Sequence, residues 1–200
     1  MPQEPDQEEM EPRKDWNWLD ERGEQAVEAT GEYPVMYIAL GSEPKTSHPF
    51  NLYRDIMSIP QALRDTLNTV PDTVAAIADQ IVQRGLKRII GVGLGTSQFV
   101  AMGAAAALGN FAGWDADQAD AGEFLTSQRN WNLPHSAFLV FSGSGRTVDS
   151  NRAAEKARAG GAYTVAIVSV PHTPLTRITD AAIVCQGGFD TGGSDTFHYA

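Results

Sequence analysis

The chain has 200 residues, 42% of them hydrophobic and 20% charged, and carries a formal net charge of −10 at pH 7. That length suits one domain with extensions, and no apolar run approaches the ~18 residues of a membrane-spanning helix. The N-terminus lacks the basic and apolar regions of a secretory signal, and the absence of a basic stripe argues against nucleic acid as a partner.

The acidity is concentrated at the start. Residues 1–32 hold eleven acids against three bases, and the remainder holds fourteen against twelve. The opening MPQEPDQEEMEP has almost nothing to bury and reads as disordered. Residues 1–32 are therefore an acidic leader. Within it Trp16, Trp18 and Leu19 mark either a short docking helix or a loosely packed segment. Residues 33–75 form an N-terminal extension with a leader helix, and residues 76–200 the main domain. Val35 to Leu40 is one short strand, followed by a Gly/Pro/Ser-rich connection. Leu52, Ile56, Ile59 and Leu63 fall at helical spacing, with Pro60 at a helix start or break. After Pro71, the positions Val74, Ile77, Ile81 and Val82 give a second amphipathic face ending at Gly85.

Strands and helices then alternate. Arg88 to Val92 is a strand, and Thr96 to Asn110 an Ala-rich helix. Trp114 to Ala119 is a weak strand, and Gly122 to Gln128 a short helix. Ala137 to Phe141 is a buried strand, and Thr147 to Ala159 a helix ended by Gly160-Gly161. Tyr163 to Val170 is a β-branched strand, Leu175 to Thr179 a brief helix, and Ala181 to Gln186 a fifth strand. This alternation predicts an α/β domain: a five-stranded parallel sheet between two helical layers. Ligands in such a sheet bind beyond the C-terminal strand ends, beside a switch in strand order.

Two turns fall at such ends, Gly93-Leu94-Gly95-Thr96-Ser97 and Ser142-Gly143-Ser144-Gly145-Arg146-Thr147. A helix start offers unpaired amides and a positive dipole end, hydroxyl residues add donors, and glycine admits a ligand close to the backbone. Two such ends converging make an anion site, with phosphate the best-fitting anion. Taken singly, each is an ordinary strand-to-helix turn with a Ser/Thr cap. Neither has the lysine of a nucleoside-triphosphate loop. Gly91 to Gly95 spells GxGxG rather than GxGxxG, and the acid that would hold a ribose is ambiguous among Asp115, Asp117 and Asp120, so no dinucleotide is expected. Four histidines and one cysteine do not fall in ligand spacing, so neither metal nor other cofactor is expected. The serine loop also fails the Gly-x-Ser-x-Gly pattern of a hydrolase nucleophile. Cys185, the single cysteine, reads as buried strand rather than nucleophile and fits a reducing, cytoplasmic setting.

Four stretches carry a family resemblance. They are Tyr53-Arg54-Asp55-Ile56 with Pro60 to Leu67, Gly95-Thr96-Ser97, Ala121-Gly122-Glu123-Phe124, and Ser142 to Thr147. Over about residues 50–200 the chain resembles the sugar isomerase (SIS) domain family, a flavodoxin-like αβα fold. Within it the likeness is to the isomerase part of glucosamine-6-phosphate synthases and their stand-alone relatives. The resemblance implies a phosphorylated sugar or amino sugar as ligand. Gly95, Thr96, Ser97, Ser142, Gly143, Ser144 and Thr147 would hold its phosphate. Two departures stand out: Gly143 replaces a glutamine of the relatives, and Arg146 replaces a glutamate. Arg146 is either a fork donor to phosphate or a solvated residue at a helix start. Gly193 and Ser194 lie where relatives have sugar contacts. His198, four residues on, reads as a capping or packing residue rather than a base; His172 is a loop residue, and Glu123 has a structural or interface role.

The implied activity is aldose–ketose isomerisation or deamination, which needs ring opening and a positioned acid–base group. Residue 2 is Pro rather than Cys, which disfavours glutamine-dependent transfer. The alternative is a non-catalytic sugar-phosphate-sensing module or partner subunit. Relatives carry two such domains in tandem, with the main catalytic residues in the second, so we expect the natural product to continue past Ala200. The family also implies a homodimer. The Ala-rich helix suits either a neighbouring copy or its own sheet.

Overall fold

The computed structural model describes residues 47–48 and 51–187. The acidic leader, the strand expected at 35–40, Gly193, Ser194 and His198 all lie outside the described residues. Two helices come first, α1 (Asn51–Thr69) and α2 (Pro71–Gln83). The alternating part continues as β1 (Arg88–Gly93), α3 (Thr96–Ala112), β2 (Asp115–Asp120) and α4 (Ala121–Thr126). A single 3-10 turn at Leu133–His135 leads into β3 (Ser136–Phe141) and α5 (Val148–Ala159). The described chain closes with β4 (Tyr163–Val168), α6 (Pro174–Ile178) and β5 (Ala181–Val184).

All five strands pair in parallel, in the order β2-β1-β3-β4-β5. The expected five-stranded parallel sheet and its two helical layers are what the structure has. One face packs Ile90, Val92, Phe138, Val140 and Val168 against Phe124 of α4, the alanines of α5 and Leu175 of α6. The other packs Ile89, Ala137 and Val165 against Ile77 and Ile81 of α2 and Leu108 of α3. β1, β3 and β4 are apolar on both faces because both faces are covered. β2, with the sequence DADQAD, is an edge strand, and its acids are engaged. Asp117 meets Arg88 at 2.6 Å and Arg129, while Asp120 caps α4 by accepting from the Gly122 amide at 2.8 Å.

Four expectations need correction. Pro60 neither starts nor breaks a helix; it lies exposed inside α1. A helical proline forfeits one bond, to the carbonyl four residues back. Here that carbonyl belongs to Ile56, on an exposed part of the helix where water can replace the lost donor. The apolar face expected on α1 is not buried: Ile56 and Leu63 are exposed, as are Met57 and Leu67, while Asp55 is buried. On α2, Ile77 and Ile81 are buried as expected, but Val74 and Val82 are exposed. Cys185 stands just past β5, half-buried, its amide donating to the Val168 carbonyl at 2.7 Å. Burial raises its thiol pKa, which keeps it a poor nucleophile. Among the described residues no helix is long and apolar enough to cross a membrane.

Candidate functional site

The strand order reverses between β1 and β3. From β1 the chain crosses outward to β2 through α3, and from β3 it crosses the other way to β4 through α5. β1 and β3 are direct neighbours, with Val92 paired to Val140 near their C-terminal ends. The two glycine-serine turns therefore leave adjacent strands at the switch point, the crevice where open α/β sheets bind ligands.

Both helices that start there lack a side-chain cap. Gly95 is the N-cap of α3 and Thr147 that of α5, and neither end has a side-chain cap hydrogen bond. At the start of α3 the Gln98 amide donates to the Gly95 carbonyl at 3.1 Å; the positive dipole ends of both helices lie at the C-terminal ends of β1 and β3. α4 is the contrast. It also starts directly after a strand of this sheet, but the Asp120 carboxylate accepts from its Gly122 and Glu123 amides. α3 has no acid in its first turn, whereas α5 has Asp149 there.

The first turn is tightly built. α3 begins so close to the end of β1 that a Cβ on Gly93 would stand 2.5 Å from the carbonyl carbon and oxygen of Ser97. Gly91, one layer lower, faces the Ala101 carbonyl, where a Cβ would come to 3.2 Å. The Ala-rich helix thus lies flat on its own sheet, with Ala101 and Ala105 buried, while Phe99, Met102 and Phe111 are exposed. Thr96 and Ser97 are half-buried at the helix start, and Gly95 is exposed.

The second turn is braced from within. Ser142 is 2% exposed, and its Oγ accepts from the Gly145 amide at 3.1 Å. The same hydroxyl lies 3.4 Å from the Thr147 Oγ1, to which it donates. Ser144 is half-buried, and its Oγ accepts from the Arg146 amide at 3.3 Å. Gly143 and Thr147 are also half-buried. Arg146 is half-buried ahead of α5, its Nε and Nη2 atoms out of solvent, a placement unlike that of a freely solvated side chain. The turn is tied to β4 and to the residue just past its end: the Ser142 amide donates to the Ile167 carbonyl, and the Ser169 amide to the Gly143 carbonyl.

Of the expected site residues, the structure brings Gly95, Thr96, Ser97, Ser142, Gly143, Ser144, Arg146 and Thr147 to one end of two neighbouring strands. Glu123 is exposed in the first turn of α4, after edge strand β2. The acids weighed for a ribose are engaged elsewhere: Asp115 and Asp117 with Arg88, Asp120 as the cap of α4. Sequence reasoning missed Thr173. It is fully buried and fills the space into which a Cβ on Gly145 would project. A lone threonine in a loop has no spacing that could have flagged it.

Among curated proteins, the chain is similar to glutamine–fructose-6-phosphate aminotransferase (isomerizing) of Thermococcus kodakarensis. The two are 25% identical over 170 residues, which is 84% of this chain and 28% of the relative. Among solved structures, the C-terminal domain of glucosamine-fructose-6-phosphate aminotransferase from Francisella tularensis matches with a TM-score of 0.65 at 23% identity, over 74% of this chain and 42% of that one. Tagatose-6-phosphate ketose/aldose isomerase from Escherichia coli matches with a TM-score of 0.63 at 20% identity, over 78% of this chain and 47% of that one. The chain thus spans less than half of the curated relative and of both solved chains. The family model for the SIS domain matches residues 84–193, more than half of the chain, and the chain belongs to that family.

Proposed function

We propose that the crevice between the β1–α3 and β3–α5 turns binds the phosphate of a phosphorylated sugar or amino sugar. The observation that carries this reading is the pair of uncapped helix starts on adjacent strands at the switch point. Backbone amides of both helices, with the hydroxyls of Thr96, Ser97, Ser144 and Thr147, are neutral donors suited to a phosphate ester. Ser142, buried beneath, keeps the second turn in shape, and Gly95 and Gly143 leave room for the ligand. Arg146 adds one cation, which offsets Asp149 and suits a dianionic ester better than a neutral sugar. Gly193 and Ser194 remain candidate sugar contacts.

The relatives' names extend the reading from ligand to reaction class. The chain would serve an aldose–ketose isomerase or aminosugar-phosphate deaminase, with catalytic residues outside the turns described. A second copy would pack on the outer surface of α3, where Phe99, Met102 and Phe111 are exposed. Light scattering at the monomer mass would contradict that assembly.

Calorimetric titration with fructose-6-phosphate and glucosamine-6-phosphate, beside fructose and glucosamine, tests the binding. Saturable binding of the esters alone is expected. Equal binding of free sugars, or no binding by folded protein, would contradict the reading. A turnover assay with the same esters then separates an enzyme from a sensing module, which would bind without converting them.

A further inference from the structure

We propose that Thr173 is the positioning residue of the serine turn: its buried side chain, packed against Gly145, holds that turn in its phosphate-accepting shape. The role in binding rests on the function proposed above; the role in shaping the turn does not.

Gly145 adopts φ +63, and a Cβ placed on it would overlap the Thr173 Oγ1 and lie 2.7 Å from its Cβ and 3.0 Å from its Cγ2. Thr173 therefore occupies the side-chain space of Gly145, and its side chain approaches that backbone as closely as a glycine permits. Thr173 is itself held firmly. It is the N-cap of α6, its carbonyl accepts from the Arg177 amide at 3.3 Å and the Thr176 hydroxyl at 2.8 Å, and Leu175 beyond it is fully buried. The Leu175 amide donates to the Gly145 carbonyl at 3.2 Å, fixing α6 to the turn. Just before Thr173, His172 takes φ +60, a conformation that residues with a Cβ seldom adopt and keep only where their surroundings impose it. The chain accepts that strain at the point where Thr173 turns beneath Gly145.

The Thr173 hydroxyl is fully buried and has no hydrogen-bond partner among the described residues. Burying a hydroxyl without a partner is unfavourable, so the side chain acts by filling space. This separates two substitutions. Thr173→Val keeps the shape and removes the hydroxyl; Thr173→Ala removes Oγ1 and Cγ2, two of the three atoms nearest the Cβ position of Gly145.

The experiment measures two quantities on the 200-residue protein and both variants. The first is hydrogen exchange of the Gly145 amide in ligand-free protein, with Val92 in β1 as the core reference. In the structure that amide donates to the Ser142 carbonyl and Oγ. Thr173→Ala should lower its protection about tenfold or more while Val92 is unchanged, because opening is local. Thr173→Val should match the wild type. The second quantity is fructose-6-phosphate affinity, measured well below the melting temperature so that all samples are folded. Thr173→Ala should weaken it by about tenfold, the equivalent of one displaced hydrogen bond to a charged group, and Thr173→Val should leave it within twofold. A residue that served stability alone would lower the melting temperature and leave the affinity of the folded protein unchanged. Wild-type protection and affinity in Thr173→Ala would overturn the proposal, as would Thr173→Val behaving like Thr173→Ala. If the wild type itself binds no ester, the phosphate reading fails, and the exchange measurement still decides whether Thr173 shapes the turn.

Discussion

Replacing Gly93 by alanine tests how closely the first turn is built. The new methyl carbon would stand 2.5 Å from the Ser97 carbonyl group and 2.7 Å from the Gln98 amide nitrogen, all backbone atoms. Ordinary contact begins at 3.4 Å, so the start of α3 must retreat by about 0.9 Å from the end of β1. No side-chain rotation can relieve this. Overpacking of that kind costs about 1–3 kcal/mol, or roughly 2–12 °C in melting temperature for a chain of this size. The retreat also moves the α3 amides away from the crevice. Losing one bond to a charged phosphate costs about 1.5–3 kcal/mol, so sugar-phosphate affinity should fall by roughly ten- to a hundredfold. Gly103→Ala is the control on the same helix: it is exposed, and nothing lies within 4 Å of a Cβ placed there. Ala in a helix interior is favoured over Gly by about 0.5–1 kcal/mol, so this variant should melt slightly higher and bind unchanged. Differential scanning fluorimetry and calorimetric titration read both effects. A Gly93→Ala protein as stable and as avid as the wild type would mean that α3 does not start so close to β1.

Three other parts of the structure give expected outcomes. Ser144→Ala should weaken fructose-6-phosphate binding by about tenfold or more in calorimetry while melting close to the wild type, because the side chain is half-buried and braces only the Arg146 amide. Asp120→Ala should cost about 1 kcal/mol in urea denaturation by uncapping α4. Burial raises the Asp117 pKa, but the Gln118 amide, Arg88 and Arg129 together outweigh it and leave the pKa below its ordinary value of 3.8. A carboxylate depressed in the folded state stabilises above the unfolded pKa, and the benefit is lost as pH falls through the folded value. Asp117→Asn should therefore destabilise by about 1–2 kcal/mol at pH 7, with the gap from the wild type closing below about pH 4; a gap unchanged at pH 3 would contradict the pairing.

Much of this fold was legible because burial on both faces writes itself into strand sequences. Ile89-Ile90 and Ala137 to Phe141 are apolar without alternation, and Tyr163 to Val168 is rich in β-branched residues. Even DADQAD could be placed as a strand from its position between two helices, although nothing in its composition says that Arg88 and Arg129 would neutralise it. The two turns were legible as strand-to-helix glycine-serine runs. Their adjacency rests on the strand order, in which β1 and β3 are neighbours. What stayed hidden is tertiary. Spacing cannot show which amide each hydroxyl accepts from, so Ser142, bonded to the Gly145 amide, and Ser144, bonded to the Arg146 amide, looked alike. The pattern Leu52, Ile56, Ile59, Leu63 predicts an amphipathic helix correctly but not what covers it. Pro60 misled because its cost depends on whether water reaches the abandoned carbonyl. Thr173 acts through the shape of a neighbour 28 positions earlier, and no local pattern encodes that.

A two-dimensional amide NMR titration of the protein with fructose-6-phosphate, and separately with fructose, shows whether both helix starts share one phosphate. The amides of Gly95 to Ser97 and of Ser144 to Asp149 should shift together along one saturable curve with the phosphate ester, and stay in place with the free sugar. Shifts confined to one turn, or equal shifts with fructose, would contradict a phosphate site shared by both helix starts.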